Sequence, residues 1–295
     1  MASLAEQVPD PAALIAGLAD HDYLAESGLA TALFCAVRLP QPLLLEGEAG
    51  VGKTQAAKSL AELLNTPLIR LQCFEGIDAS EALYEWNYPR QLLGIRVAEA
   101  KGSGLSEESL FSREYLIERP LLQALEHPGP NPAVLLIDEI DRADEEFEAF
   151  LFEMLAESAV TVPEIGTLTA KVPPVVILTS NRTRDLHDAL KRRCLYHWID
   201  YPSLEHAVQI VRLRVPQAPP ELASQVAGAV ERLRSLDVQK PPGVAEVIDW
   251  VHAATLLGIK TLDADAVDLT MGSVLKYRED QDLARAEGLS WVAGA

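Results

Sequence analysis

The sequence predicts an α/β fold in which helices sandwich a parallel sheet, followed by a small all-helical domain. Three observations support this class. A glycine-rich run separates an apolar segment from a helical pattern within residues 43–64. The apolar runs at residues 133–137 and 175–178 do not alternate, which is typical of parallel strands buried on both faces. Beyond residue 202 the strand signal disappears, so strands alternate with helices only before that point.

Local signals predict the individual elements. Asp10, followed by a proline, predicts the start of the first helix, because an Asp side chain caps free N–H groups. Residues 160–170 predict a hairpin with Gly166 at its turn, residues 74–101 lack clear periodicity, and residues 102–108 predict a loop. The predicted helices are residues 10–19, 26–39, 55–64, 114–125, 145–157, 204–214, 221–236, 244–257 and 263–277, and the predicted strands are residues 43–45, 68–71, 133–137 and 175–178.

Composition and charge restrict the class of partner. The chain has 295 residues, of which 48% are apolar, so it can bury a sizeable core. A formal charge of −19 and a pI near 4.7 disfavour wrapping of nucleic acid, which requires clustered Lys and Arg, and favour a protein partner. The same charge has an alternative explanation, because net negative charge also keeps proteins dispersed whatever they do.

Targeting signals and cysteine usage predict a cytoplasmic protein. No apolar run is long enough for a membrane helix, and the N-terminus lacks the basic start of a secretory signal. Cys35, Cys73 and Cys194 form no close pair, which favours reduced thiols, mostly buried, over a disulfide framework.

The glycine-rich run G-E-A-G-V-G-K-T at residues 47–54, which we call the phosphate loop, predicts a nucleotide site. Its backbone N–H groups and the following helix start attract a polyphosphate, Lys53 suits the β- and γ-phosphates, and Thr54 suits Mg²⁺. An ordinary glycine turn is the alternative, but it gives no reason for the Lys-Thr pair. The predicted nucleotide-binding residues are Gly47, Glu48, Ala49, Gly50, Val51, Gly52, Lys53, Thr54 and Gln55.

Two carboxylates end the apolar run of residues 133–137 and supply the remaining hydrolytic chemistry. We expect Asp138 to hold Mg²⁺ and Glu139 to orient the water that attacks the γ-phosphate. Paired carboxylates after a strand also occur by chance. The phosphate loop in the same chain favours the functional interpretation, because hydrolysis requires both motifs.

Three further residues are candidates for sensing or stabilising the γ-phosphate. Asn181 ends the strand at residues 175–178, where its amide could bond both the water and the phosphate; a plain turn residue is the alternative. Arg192 and Arg193 lie where a helix ends, and an arginine supplied to a neighbouring subunit stabilises a transferring phosphoryl group. The alternative is a basic helix end that complements the helix dipole.

Together these motifs, in this order, resemble an AAA+ ATPase with a P-loop fold. More narrowly, D-E-I-D-R-A at residues 138–143 is similar to the signature of the MoxR family. Residues 70–78, 82–86 and 119–122 resemble the CoxD-like branch of that family. The resemblance implies ATP and Mg²⁺ as cofactors.

The resemblance also implies an arrangement of domains. Residues 1–203 would form the nucleotide-binding domain and residues 204–295 a helical lid. The resemblance also implies subunits assembled into a ring, which we expect to be a hexamer. Family insertions correspond to residues 74–104 and 160–170, which would face the axis of the ring and could grip a client.

Individual residues take roles from the same resemblance. Arg193 is the expected finger that reaches the next subunit, with Arg192 as the alternative. Many members carry a sensor arginine where this chain has Val244, and Lys240 is a possible substitute. Trp86 and Tyr88 within the first insertion are either client contacts or ordinary packing residues.

The resemblance implies an ATP-driven chaperone that matures a partner metalloenzyme, such as a molybdenum enzyme of the carbon monoxide dehydrogenase type. A protein with a von Willebrand A (VWA) domain would recognise the client. Two alternatives stay open at this point: a nucleotide-dependent switch or scaffold with little turnover, and a nucleic-acid-handling AAA+ subunit, which the acidic composition disfavours.

Overall fold

The structure is a computed structural model that describes residues 7–39, 41–102 and 106–294. Residues 103–105, which belong to the predicted loop and to the end of the first predicted insertion, lie outside the described residues. The chain divides into two compact units. The first contains the described residues within 1–21, 25–46 and 54–198, and the second contains those within 22–24, 47–53 and 199–295.

A five-stranded sheet forms the centre of the first unit, in the order β2-β5-β8-β1-β9, and helices pack against it. The pairs β2 with β5, β5 with β8 and β8 with β1 are parallel. Two short hairpins, β3 with β4 and β6 with β7, are separate from this sheet. The strands are β1 Leu43–Gly47, β2 Leu68–Gln72, β3 Tyr84–Trp86, β4 Leu116–Glu118, β5 Val134–Asp138, β6 Ala159–Val162, β7 Gly166–Thr169, β8 Val175–Ser180 and β9 Leu195–Ile199.

Burial follows the position of each strand in the sheet. The three inner strands β1, β5 and β8 are buried along their whole length, whereas the edge strands β2 and β9 are only half-buried. A parallel strand that is covered on both faces must be apolar at every position. This explains why apolar and polar residues do not alternate at residues 133–137 and 175–178. The predicted fold class is confirmed.

Seven of the nine predicted helices agree with the structure to within two residues. The first begins as expected, with the Asp10 carboxylate accepting a hydrogen bond from the N–H of Ala13 at 2.8 Å. Within the described residues, no helix has both the length and the apolar character needed to cross a bilayer. The helices are α1 Pro11–Ala19, α2 Ser27–Arg38, α3 Lys53–Leu63, α4 Ala79–Ala82, α5 Tyr88–Ala100, α6 Glu107–Leu110, α7 Pro120–Leu125, α8 Glu145–Glu157, α9 Asp188–Lys191, α10 Leu204–Arg214, α11 Pro220–Arg234, α12 Val244–Leu256, α13 Ala264–Thr270, α14 Arg278–Glu287 and α15 Leu289–Ala293.

Two predicted helices differ from the structure, and a third segment has no predicted element. The single helix expected at residues 114–125 is instead β4 followed by α7, because Pro120 holds Arg119 in an extended conformation. The helix expected at residues 263–277 ends at Thr270. Residues 74–101, which lacked clear periodicity, contain the helix α5.

The two predicted insertions share a small apolar cluster. Trp86 of β3, Tyr115 and Val162 of β6 are buried together, and the ring of Phe111 lies edge-on to Trp86 with 5.2 Å between ring centres. Trp86 is therefore a packing residue and not a client contact. Tyr88, two residues further on, is 59% exposed.

The second unit has its own core, built by the helices α10 to α15. Trp250 on α12 is its largest fully buried side chain, and its indole N–H donates to the hydroxyl of Thr270 at 2.6 Å. An indole N–H buried without an acceptor is costly, so this bond fixes the ring within the core.

Thr270→Val should destabilise the protein by about 1–3 kcal/mol, because the Trp250 N–H loses its acceptor while the side-chain volume is nearly unchanged. Chemical denaturation measures the free energy of unfolding. The exposed Thr261→Val is the control and should change it by less than about 0.5 kcal/mol. Equal stability of both variants and the parent would contradict the assigned role of this hydrogen bond.

Candidate functional site

The phosphate loop leaves β1 at Gly47 and enters α3 at Lys53. Gly50 has φ +78° and Gly52 has φ +98°, a region that disfavours residues with a side chain. At Gly50 a Cβ atom would also lie 2.9 Å from a carboxylate oxygen of Glu246. The loop conformation therefore requires glycine at these two positions.

Lys53 is buried, with 7% of its surface exposed, and its ammonium group faces the loop itself. Its Nζ donates to the carbonyl oxygens of Gly47 and Glu48, each at 2.7 Å. The cation is thus held over the turn by backbone dipoles, where a polyphosphate could take over those bonds.

The start of α12 lies on the phosphate loop within the second unit. The N–H of Ala245 donates to the carbonyl of Gly50 at 3.2 Å. Val244, where the resemblance predicted the position of a sensor arginine, is buried with 7% exposure. Lys240 is exposed, and its backbone N–H faces the carboxylate of Asp280 at 3.4 Å.

Asp138, the last residue of β5, is the most heavily bonded side chain of the site. It is 3% exposed, so its charge needs hydrogen-bond donors. The hydroxyl of Thr54 donates to its carboxylate at 3.0 Å, and the guanidinium of Arg70 donates from Nε at 2.9 Å and from Nη2 at 2.6 Å. Thr54 and Asp138, predicted as metal ligands, therefore lie together.

Thr179 of β8 was not predicted as a site residue, yet it joins both carboxylate residues. Its hydroxyl donates to Asp138 Oδ1 at 2.5 Å and accepts the backbone N–H of Glu139 at 2.9 Å. The pairing of β5 with β8 brings it there, since strand ends meet at one edge of a parallel sheet.

Glu139 adopts a strained backbone, with φ +56° and ψ +51°, that non-glycine residues rarely use. Its carboxylate accepts from Arg142 Nη1 at 3.1 Å and its side chain is 34% exposed. The left-handed conformation turns the chain sharply after β5, so that Asp138 stays buried while Glu139 reaches solvent.

Asn181 follows β8, and a buried carboxylate fixes its backbone. Asp141 Oδ2 accepts the N–H groups of Asn181 at 3.2 Å and Thr183 at 2.9 Å, and also the Thr183 hydroxyl at 2.7 Å. Asp141 is 3% exposed. Asp141, the second aspartate of the D-E-I-D-R-A motif, thus anchors the loop that carries Asn181, the residue predicted to sense the γ-phosphate.

A second buried carboxylate holds the other end of this loop. Glu148 of α8 is 1% exposed, pairs with Arg184, and accepts the N–H of His187 at 2.8 Å. The segment from Asn181 to the start of α9 is therefore attached to the region around α8 at both ends.

Arg192 and Arg193 follow α9, and both are exposed. The guanidinium of Arg193 lies 4.1 Å from the ring centre of Phe152 on α8, a cation–π contact. Both arginines line a surface cavity of about 230 Å³. The site residues at the ends of β5 and β8, Asp138, Glu139, Thr179 and Asn181, thus lie near one edge of the sheet. Arg192 and Arg193 instead line a separate cavity at the surface.

The thiols of the buried Cys73 and the half-buried Cys194 have strongly raised pKa values. Burial, reinforced by the charges of Asp138, Asp141 and Glu139, raises the pKa of Cys73 to about 12. Burial alone raises the pKa of Cys194 to about 12. Both thiols are therefore protonated near neutral pH, and all three cysteines of the chain are free rather than in disulfides.

The parallel strand order and the glycine loop before α3 define a P-loop nucleotide-binding fold. The family model described as AAA domain (dynein-related subfamily) matches residues 42–194. The chain therefore belongs to the dynein-related subfamily of AAA domains.

Several relatives are similar to this chain. An uncharacterized protein of Staphylococcus saprophyticus is 24% identical over 267 residues, which cover 86% of this chain and 92% of that protein. An uncharacterized protein of Staphylococcus aureus USA300 is 29% identical over 169 residues, which cover 55% of this chain and 57% of that protein. Among solved structures, domain III of the Thermotoga maritima replication initiation protein DnaA superposes with a TM-score of 0.48 and 14% identity, covering 86% of this chain and 95% of that one.

The family implies a nucleotide-bound Mg²⁺, and the donor atoms at Thr54 and Asp138 fit such an ion. Mg²⁺ prefers hard oxygen ligands and is commonly held by one or two carboxylates together with water and phosphate oxygens. A hydroxyl and a carboxylate 3.0 Å apart at the end of β5 supply this donor set.

Cys73 and Cys194 should react very slowly with iodoacetamide in the native protein. A pKa of about 12 leaves each thiolate fraction at pH 8 about 10³-fold below that of a thiol with a pKa of 9. Because pH 8–10 lies below these pKa values, both labelling rates should rise about tenfold per pH unit throughout that range. Peptide mass spectrometry gives each rate, with protein unfolded in guanidinium as the control. Similar rates in folded and unfolded protein would contradict the shifts.

Proposed function

We propose that this chain is an ATP-hydrolysing AAA+ protein that acts as a ring and uses Mg²⁺-ATP to remodel a partner protein. The observation that carries the proposal is the hydrogen bond between Thr54 and Asp138, with Glu139 next in the chain. A protein that only binds nucleotide has no need for a water-orienting carboxylate after the metal ligand.

Nucleotide binding is assigned to the phosphate loop and Gln55. Loop N–H groups and Lys53 would bind the phosphates, with Lys53 giving up the carbonyl oxygens that it contacts in this structure. Thr54 and Asp138 would hold Mg²⁺, which neutralises charge on the phosphate oxygens when bound.

Hydrolysis is assigned to Glu139 as the residue that orients and deprotonates water. Its exposed carboxylate can leave Arg142, since an ion pair at the surface contributes little. Thr179 positions the backbone of Glu139, and Asp141 positions Asn181, whose amide would bond the γ-phosphate. Both positioning residues act through hydrogen bonds to the backbone.

Ring assembly is supported by the arginines after α9. Arg193 is exposed and stacks on Phe152 without an acidic partner among the described residues, so its charge is available to a neighbouring subunit. Domain limits of 1–203 and 204–295, with a helical lid, belong to the same proposal. Hexameric stoichiometry rests on the MoxR resemblance.

Partner binding is assigned to the outer face of α5 in the first insertion. Tyr88, Leu92, Leu93 and Val97 on this helix are exposed by 43–63%, which is unusual for four apolar residues at helical spacing. A metalloenzyme client, a VWA-domain partner and membership of the CoxD-like branch are the finer form of the proposal, and they rest on the motif resemblance.

Glu139→Gln should bind ATP normally and lower ATP turnover by at least about 10²-fold, because the amide cannot accept the proton of the attacking water. Phosphate release measures turnover, and a fluorescent ATP analogue measures affinity. Glu146→Gln, an exposed glutamate of α8, is the matched control and should leave both unchanged. Equal turnover of the parent protein and Glu139→Gln would favour a nucleotide-dependent switch instead.

Arg193→Ala should also bind ATP but hydrolyse it about 10³-fold more slowly, because the charge that stabilises the transferring phosphoryl group is lost. Co-expression with Glu139→Gln tests whether that charge acts in trans. With random assembly, about a quarter of the interfaces would pair an intact Glu139 with an intact Arg193, so activity should return to roughly that share.

Differently tagged subunits allow mixed assemblies to be purified before the assay. Mixed assemblies without any recovered turnover would contradict an arginine supplied by the neighbour. If mixing with Glu139→Gln restores ATP turnover to Arg192→Ala but not to Arg193→Ala, the arginine finger is Arg192.

A further inference from the structure

Arg70 is a cation placed beside the proposed metal ligand. It lies on β2 opposite Leu136 of β5, and its side chain extends along the sheet edge to Asp138. Both Nε and Nη2 donate to one oxygen, Asp138 Oδ2, at 2.9 and 2.6 Å. Gln72, two residues further along β2, also accepts from Nη2 and holds the guanidinium in place.

The carboxylate of Asp138 is fully used in this arrangement. Oδ1 accepts from Thr54 at 3.0 Å and from Thr179 at 2.5 Å, while Oδ2 accepts both bonds from Arg70 and a longer one from Thr54 at 3.2 Å. A carboxylate offers about four lone-pair sites. Mg²⁺, or a water bound to it, therefore cannot reach Oδ2 while Arg70 is bound.

The two partners differ in their freedom to move. The Asp138 side chain is 4% exposed and fixed by two hydroxyl groups, whereas the Arg70 side chain is 50% exposed. When the pair opens, the guanidinium is the group that can move into solvent, because hydration compensates it for the lost bonds.

We propose that Arg70 is a positioning residue that competes with Mg²⁺ for Asp138, so that binding of the metal-nucleotide releases it. This inference rests on the proposed function, since it requires that the site binds Mg²⁺-ATP. In this structure Arg70 compensates the buried negative charge of Asp138, which would otherwise be costly. Its effect is to raise the Mg²⁺ concentration at which nucleotide binds tightly.

A titration of Mg²⁺ into protein with a fluorescent, non-hydrolysable ATP analogue tests this competition. Arg70→Gln removes the competing cation, and its Mg²⁺ midpoint should fall by roughly three- to tenfold, the range expected for the loss of charge-assisted hydrogen bonds. Arg70→Lys keeps the charge without the two bonds that converge on Oδ2, so its midpoint should lie between those of Arg70→Gln and the parent. Affinity for the analogue in EDTA should stay within about twofold of the parent in both variants.

Arg96→Gln is the matched control, because it removes one positive charge from an exposed position on α5. Its Mg²⁺ midpoint should equal that of the parent. Thermal unfolding of each variant verifies that the half-exposed Arg70 can be replaced without loss of the fold.

The outcomes separate this inference from the function on which it rests. If the parent protein binds no ATP analogue at any Mg²⁺ concentration, the proposed function fails. If the parent binds it and the Arg70→Gln midpoint is unchanged or higher, the competition is overturned while nucleotide binding stands. A higher midpoint together with weaker binding in EDTA would instead make Arg70 a phosphate ligand.

Discussion

The buried carboxylate of Asp138 is the constraint on which the rest of the site depends. A negative charge with 3% exposure is costly unless donors surround it, and Thr54, Thr179 and Arg70 are those donors. They come from α3, β8 and β2, so one charge joins three separate elements. The strained conformation of Glu139 follows, because the chain must turn sharply to keep Asp138 inside and the next carboxylate at the surface.

Two further buried carboxylates extend this arrangement to the region of the exposed arginines. Asp141 and Glu148 bind the ends of the loop that begins at Asn181, and α9 and Arg193 follow directly. Because each carboxylate is almost fully buried, breaking one of these bonds is expensive, and the loop should move together with α8. A movement of the loop near Asn181 can therefore be transmitted through these hydrogen bonds to the cation–π contact between Arg193 and Phe152.

Sequence reasoning predicted the features that depend on local chemistry. The buried strands, the phosphate loop and the adjacency of Thr54 and Asp138 follow from residue type and parallel topology, and α5 could have been found from Asn87, which caps it. Arg70 and Thr179 could not be assigned to the site from the sequence. Their roles depend on which strands are neighbours in the sheet and on distances between side chains, which the spacing of residues along the chain does not specify. The site roles themselves and the domain limits stay predictions.

If Asp138 organises a metal-nucleotide site, its charge must be what makes nucleotide binding depend on Mg²⁺. The decisive measurement is the affinity of Asp138→Asn for an ATP analogue, with saturating Mg²⁺ and with EDTA, compared with the parent protein. We expect the variant to bind the analogue in EDTA about as well as the parent and to gain little from Mg²⁺, because a neutral amide is a poor ligand for that ion. An unchanged gain from Mg²⁺ in Asp138→Asn would show that the metal is held elsewhere.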